Sequence, residues 1–274
     1  MSAKLESLFR KAPIIGFSSV MLMILVQQPV TGATNVVVES FGGSSTDPLN
    51  GTTADVFASG ITSAGGSSTW VAATTSQFNA DGSITPFSTF DGIAYLDMGS
   101  YIDNAKGTAV GLFRLGLTIA PATQGNWVGL GFTNVLPTST SDMFLLPNPI
   151  GLGWGGYNRT PSQAFFYAGP GNADLAPTLA LGAGPHDFVV TLDLTTYDGI
   201  TDFGHLSYSV DGAPLVGGDF SYTSANQFRT IAISQDNAAN GTVSNFFLEQ
   251  IPEPGSGLLM VAGSGLVLLR RRRG

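Results

Sequence analysis

The chain has 274 residues, a formal net charge of −8, no cysteine and only 11% charged residues, with 36 glycines. The absent cysteines exclude a disulfide framework and thiolate metal sites, and the length suits one all-β domain with short extensions. The acidic balance excludes a nucleic-acid partner.

Residues 1–33 open with Lys4, Arg10 and Lys11, continue through an apolar run at 12–26, and end in small residues at Thr31, Gly32, Ala33 and Thr34. That order is a secretory signal peptide: the apolar part is 13 residues from Ile14 to Val26, short of the ~20 that a spanning helix needs. Export machinery of the Sec type and signal peptidase are the implied partners, with cleavage expected near Ala33. The alternative is a permanent N-terminal anchor.

Residues 34–250 form the expected body. They hold 15 Asp and 2 Glu against Lys106, Arg114, Arg159 and Arg229, so this part carries −13. Short bursts of Val, Ile, Thr, Phe and Tyr between turn residues predict strands at 36–41, 70–74, 92–98, 110–119, 127–133, 164–167, 188–194, 206–210, 228–234 and 243–249. Alternation is clearest where Phe188, Val190, Leu192 and Leu194 share one face and Leu206, Tyr208 and Val210 another, before an Asp211-Gly212 turn. No stretch of the body shows sustained helical periodicity, so an antiparallel sandwich of the jelly-roll kind is expected. Residues 40–68, poor in large apolar groups, read as a loop-like arm.

Candidate chemistry is sparse. The only glutamates of the body, Glu39 and Glu249, stand at its opposite ends, and Asp187 and Asp193 flank a strand at roughly 20 Å, too far for a retaining carboxylate pair. His186 and His205 have no second histidine at metal-ligand spacing. The run 151–156 matches a dinucleotide-binding glycine pattern, but prolines precede it where a strand is required. It reads instead as a glycine loop, with Trp154 and Tyr157 as candidate sugar-stacking faces or as anchors tucking the loop into the sandwich. Trp70 and Trp127, inside strand-like runs, are expected in the core. No cofactor is implied; calcium is the one cation the acidic turns would suit, with Asp97, Asp198 and Asp202 as weak oxygen donors lacking the spacing of a calcium loop. Asn50, Asn158 and Asn240 begin glycosylation-type triplets, a pattern of low specificity.

Residues 251–274 close the chain. Pro252, Glu253 and Pro254 form a hinge, an uncharged stretch covers 255–269, and Arg270, Arg271, Arg272 and Arg273 follow. Fifteen residues rise only about 22 Å as a helix, short for a ~30 Å hydrocarbon core, though arginine stems extend the span. The arginines should stay cytoplasmic and leave the body outside.

This tail resembles the PEP-CTERM sorting signal of Gram-negative bacteria that make extracellular polysaccharide. The resemblance rests on Pro252, Glu253 and Pro254, the apolar 258–269 and Arg270 to Arg273. It implies exosortase, a membrane cysteine transpeptidase, as a partner that cuts near the proline motif, and a route from a transient inner-membrane anchor to the cell surface or matrix. The same tail has been called an ice-binding protein C-terminal domain, a phrase that describes a tail and implies no ice binding. The alternative is an ordinary tail anchor.

The body is similar, more loosely, to the concanavalin A-like lectin and glucanase sandwich, through segments 127–132, 188–193, 206–212 and 241–248. The glucanase branch would need a Glu-x-Asp-x-x-Glu strand, which is absent. The expected function is therefore a non-catalytic, exported surface or matrix module that associates with extracellular polysaccharide. Two alternatives stay open: a polysaccharide-modifying enzyme with an unfamiliar site, and a coat protein without a ligand.

Overall fold

The computed structural model describes residues 32–42, 48–72, 78–80, 84–86, 92–121, 127–137, 151–158, 163–167, 179–215, 219–236 and 241–252. Chain contacts divide between Gly32 and Ala33, and every element below belongs to the unit that begins at Ala33.

In chain order these are β1 (Thr34–Glu39), β2 (Val56–Phe57), α1 (Ser59–Ser63), β3 (Ser67–Ala72), β4 (Phe78–Ala80), β5 (Ile84–Pro86) and β6 (Gly92–Asp97). A 3₁₀ turn (Asp103–Ala105) leads to β7 (Leu112–Pro121), β8 (Trp127–Thr133), β9 (Gly151–Asn158), β10 (Gln163–Tyr167) and β11 (Leu179–Ala180). The rest are β12 (His186–Asp193), β13 (His205–Val210), β14 (Ala213–Pro214), β15 (Phe220–Ser221), β16 (Thr230–Asp236) and β17 (Gly241–Ile251).

They form two antiparallel sheets. One runs β14-β13-β12-β7-β17-β1-β2, with β4, β5 and β15 attached beside that path; the other runs β11-β10-β9-β8-β16-β6-β3. Neighbours far apart in sequence, such as β1 with β17 and β8 with β16, are the crossings of a jelly roll. All ten strands read from the sequence are present.

The core lies between the sheets because alternate residues of each central strand point inward. Phe113, Leu115, Leu117 and Ile119 of β7 and Phe188, Val190 and Leu192 of β12 meet Val128, Leu130 and Phe132 of β8 and Ile231 and Ile233 of β16. Each such side chain contributes about 1.5–3 kcal/mol on burial. Polar ties cross the same gap. Tyr208 on β13 stacks on Phe166 of β10 with ring centroids 4.6 Å apart and donates its hydroxyl to the Tyr167 carbonyl at 2.6 Å. Burial holds that hydroxyl's pKa far above the usual tyrosine range. Trp70 on β3 donates to Glu39 on β1 at 2.9 Å and packs edge-on to Phe246.

Asp211 and Gly212 both take positive φ, 51° and 74°. That is the geometry of a two-residue turn matched to the twist of β13 and β14, as the Asp-Gly pair predicts.

Two expectations need correction. Segment 40–68 is not an arm where it is described: Leu49 and Ile61 are fully buried, α1 packs under β3, and Thr53 bridges to Thr69. Phe41, Leu49 and Ile61 are spent inward while Val56 is exposed, so composition alone understated its order. The second concerns the glycine run 151–156, which is no loop: β9 is a strand of eight residues between β8 and β10.

Candidate functional site

A second apolar cluster lies on the outer face of the seven-stranded sheet, away from the core. Ile93 and Tyr95 of β6, Trp154 of β9, Phe165 of β10 and Ala232 of β16 form it, with Trp127 of β8 and Tyr167 of β10 packed at its margin.

Strand alternation sends these side chains outward, and one irregularity completes the set. Gly131 pairs with Trp154 but Phe132 pairs with Leu152, so Gly153 is an extra residue in β9. Its φ of 62° is the left-handed value of a glycine bulge, and a Cβ there would lie 2.6 Å from Leu206. The bulge resets the alternation: Leu152 points into the core while Trp154, two positions on, points out. Across from it, Gly131 leaves room for the indole, since a Cβ there would sit 2.9 Å from the Trp154 ring.

The rings form a connected strip. Trp127 meets Trp154 at 5.2 Å and 83°, and Phe165 at 5.9 Å and 76°. Phe165 continues to Tyr167 at 5.9 Å and 64°. Edge-to-face pairs of this kind add about 0.5–1.5 kcal/mol each beyond area burial, so the strip is rigid. Trp154 is 2% exposed, whereas Trp127 is half-buried. Trp127, Trp154, Phe165 and Tyr167 all make further contacts beyond these.

Two polar pairs at one end of the strip satisfy each other. The Thr133 and Thr230 hydroxyls share a hydrogen bond at 2.5 Å, and Asp97 pairs with Arg229 at 2.7 Å while accepting the Gly99 N–H at 2.8 Å. Burial, with the Asp97 charge added, pushes the Tyr95 hydroxyl's pKa up. Most of the cluster is buried, and its accessible part is the ring surface of Trp127 and Tyr167, flat and apolar, the chemistry of stacking on the C–H face of a sugar ring.

The structure separates the aromatic pair named from the sequence. Trp154 lies on the outer face, whereas Tyr157 is 4% exposed and belongs to the core between the sheets. Three residues along a strand put two side chains on opposite faces. Trp127, expected in the core, is on the outer face, while Trp70 is fully buried inside. Phe165 and Tyr167 were not singled out from the sequence; their alternation with core residues Ala164 and Phe166 was the available signal.

The calcium candidates are also dispersed. Asp97 belongs to β6, while Asp198 and Asp202 lie in the β12–β13 loop of the other sheet. Asp198 spends its oxygens on that loop, accepting the N–H groups of Ile200, Thr201 and Asp202 and the Thr201 hydroxyl. Those bonds, led by the one from Asp202, hold its carboxyl well below the usual range. Asp202 accepts from Gly204, Thr196 and His205 and is lowered for the same reason. Among the described residues no group of three or more His, Asp or Glu is placed to hold a metal.

One arrangement was invisible in the sequence. His205 bonds Ser221 at 2.9 Å through Nδ1 and Asp202 at 3.1 Å through Nε2, because β13 and β15 pair His205 with Ser221. His186 similarly bridges Asp211 at 2.8 Å and the Gly182 carbonyl at 3.1 Å.

Pro252 is the last described residue of the tail; Glu253, Pro254, Arg270, Arg271, Arg272 and Arg273 lie outside the described residues, as do residues 1–31. Among those described, no helix is long and apolar enough to cross a membrane.

Fold and face together define an antiparallel β-sandwich of jelly-roll strand order with an aromatic strip on its smaller sheet. No protein-family model and no curated protein sequence matches the chain. Solved structures do match. The Emp47p carbohydrate recognition domain is 14% identical over 67% of this chain and 88% of that one, with a TM-score of 0.42. A Trypanosoma rangeli sialidase in complex with sialic acid is 16% identical over 68% of this chain, TM-score 0.45, and the match spans only 28% of that enzyme. A human SPRY domain is 10% identical over 60% of this chain and 90% of that one, TM-score 0.40. With scores of this size, the architecture rests on the strand order itself.

Proposed function

We propose that this is an exported surface or matrix protein whose body is a non-catalytic module associating with extracellular polysaccharide. The observation that carries the reading is the aromatic strip of Trp127, Trp154, Phe165 and Tyr167 on the outer sheet face. The ligand class is a neutral glycan: a body carrying −13 repels polyanions, and the accessible part of the strip offers ring faces rather than cations. Contact centres on Trp127 and Tyr167, the partly open members.

Delivery follows from the two ends. The first strand begins at Thr34, directly after the expected cleavage at Ala33, and the last ends at Ile251, directly before Pro252. Both boundaries suit a signal peptide and an exosortase-read sorting tail added to a finished domain, with surface location as the outcome. The mass of the mature protein in its host tests this: loss of the segment after Pro254 supports sorting, and an intact arginine tail leaves a plain anchor.

Affinity electrophoresis in gels containing neutral polysaccharides tests the ligand. Trp127→Ala should weaken retardation at least five-fold in gels run well below its melting midpoint, which the loss of two edge-to-face ring pairs lowers. Equal retardation of both proteins overturns the assignment. The hydrogen-bonded string Ser221–His205–Asp202 is the one observation favouring an enzyme. Glycan turnover that Ser221→Ala abolishes would transfer the function to that string.

A further inference from the structure

The two ends of the body meet. In the β1/β17 pair Thr34 faces Gln250 and Asn35 faces Glu249, so the start and finish of the domain stand about 5 Å apart. The same row continues across the sheet: Ile251 faces Leu112, Leu112 faces Asp193, and Asp193 faces His205. The β12–β13 loop therefore rises from this end too. At its tip is Ile200, 80% exposed and held by the Asp198 carboxylate through its own N–H.

The exit of the chain is clamped. Gln250 accepts the Tyr101 hydroxyl at 2.8 Å and donates to the Val110 carbonyl at 2.8 Å, while Glu249 pairs with Arg114 at 2.9 Å. Strand pairing runs through Ile251, and the proline motif starts at the next residue. From Ile251 to Pro254 the chain can reach only about 10 Å. No flexible linker separates the folded body from the motif.

Resting on the sorting reading above, we propose that this end of the sandwich, with the Thr34–Gln250 pair at its centre and Ile200 and Val110 as exposed apolar contacts, is the surface that docks on the membrane-embedded processing enzyme. An enzyme that reaches a motif 10 Å from the fold at most must meet the fold. The mature N-terminus, 216 residues away in sequence from Gln250, then lies inside the footprint, and bulk placed there obstructs processing at the other terminus.

The test uses the full chain in its native host, followed by pulse-chase and mass measurement of the mature C-terminus. A compact domain of about 100 residues, about 30 Å across, is inserted between Ala33 and Thr34. A second version adds a Gly-Ser linker of about 24 residues, spanning about 27 Å, between Ile251 and Pro252. Wild type should lose its arginine tail, the insertion should slow that loss at least ten-fold, and the linker should restore it to within about two-fold. Processing of the insertion at the wild-type rate overturns the docking surface, as does a block that the linker fails to relieve. Retention of the tail by the wild type itself overturns the sorting reading and the inference with it, and is distinguished because no insertion is needed to see it.

Discussion

Glu39 gives the sharpest test of how the two sheets are joined. Its carboxylate is 5% exposed and accepts the Phe41 N–H on Oε1 at 2.7 Å and the Trp70 indole N–H on Oε2 at 2.9 Å. Burial raises its pKa above the ordinary 4.5; the bonds from Trp70 and Phe41 oppose the rise, and the Asp55 charge adds to it. Glu39→Gln keeps the shape but only one acceptor oxygen, so either Trp70 or Phe41 faces an NH₂ group. One buried unpaired donor costs about 1–3 kcal/mol, which in a domain of this size lowers the melting temperature by roughly 2–12 °C. The pH dependence carries the sign. A carboxyl whose folded pKa is raised binds protons more tightly when folded, so wild-type stability falls as pH climbs from 4.5 through the raised value. Each unit of elevation is worth about 1.4 kcal/mol, and glutamine has no such dependence. Melting curves of both proteins between about pH 4 and 8 should therefore show the gap widest at the acid end and narrowing upward. A gap that grows with pH would refute the reasoning, because it would mean that the Trp70 and Phe41 bonds outweigh desolvation.

Burial works against a charged His186, but its bonds to Asp211 and the Gly182 carbonyl, with the Asp211 and Asp187 charges, raise its pKa above 6.5. That contribution is complete below 6.5 and is lost as pH rises through the folded value, so His186→Gln should flatten the melting profile between about pH 6 and 8. Gly131→Ala places a Cβ 2.6 Å from the Gly153 carbonyl and 2.9 Å from the Trp154 ring. It should destabilise by about 1–3 kcal/mol in denaturant titration and shift tryptophan fluorescence, whereas an unchanged midpoint would show the sheet yielding freely. Asp198→Ala removes the acceptor for three loop amides; hydrogen exchange at Ile200, Thr201 and Asp202 should accelerate, and unchanged protection would deny the carboxylate its structural part.

The strands were legible where a period of two survives in the residue types. Phe188, Val190 and Leu192 share the core face while Asp187, Thr191 and Asp193 on the other face are half-buried or exposed, and Asp211-Gly212 supplies the turn chemistry that hairpin geometry demands. Strand β9 was not legible, for a physical reason: its glycines are there because neighbouring backbone and side chains approach where Cβ atoms would be, and the same glycines resemble a loop on paper. The Gly153 bulge is equally silent in sequence, yet it decides that Leu152 and Trp154, two positions apart, point to opposite faces. Contacts such as Ser221 with His205, or Thr34 with Gln250, depend on which strands become neighbours, and local patterning does not encode that choice.

The proposed ligand face and the chain exit make independent demands on the sandwich, and the topology keeps them apart. The aromatic strip lies on the flank of the seven-stranded sheet, with its rings on β8, β9 and β10. Thr34, Gln250 and the Ile200 loop belong to the other sheet and gather at the end of its strands. A side chain on a sheet face points roughly perpendicular to the strands, whereas a chain leaving a strand continues along it. On the proposed reading, docking by the end therefore leaves Trp127 and Tyr167 accessible, and a body still tethered at Pro252 would hold them toward a polysaccharide. Trp127→Ala should accordingly weaken glycan retention without slowing removal of the tail, while the insertion at Thr34 should slow removal without weakening retention. Loss of both functions in either protein would show that one surface serves both.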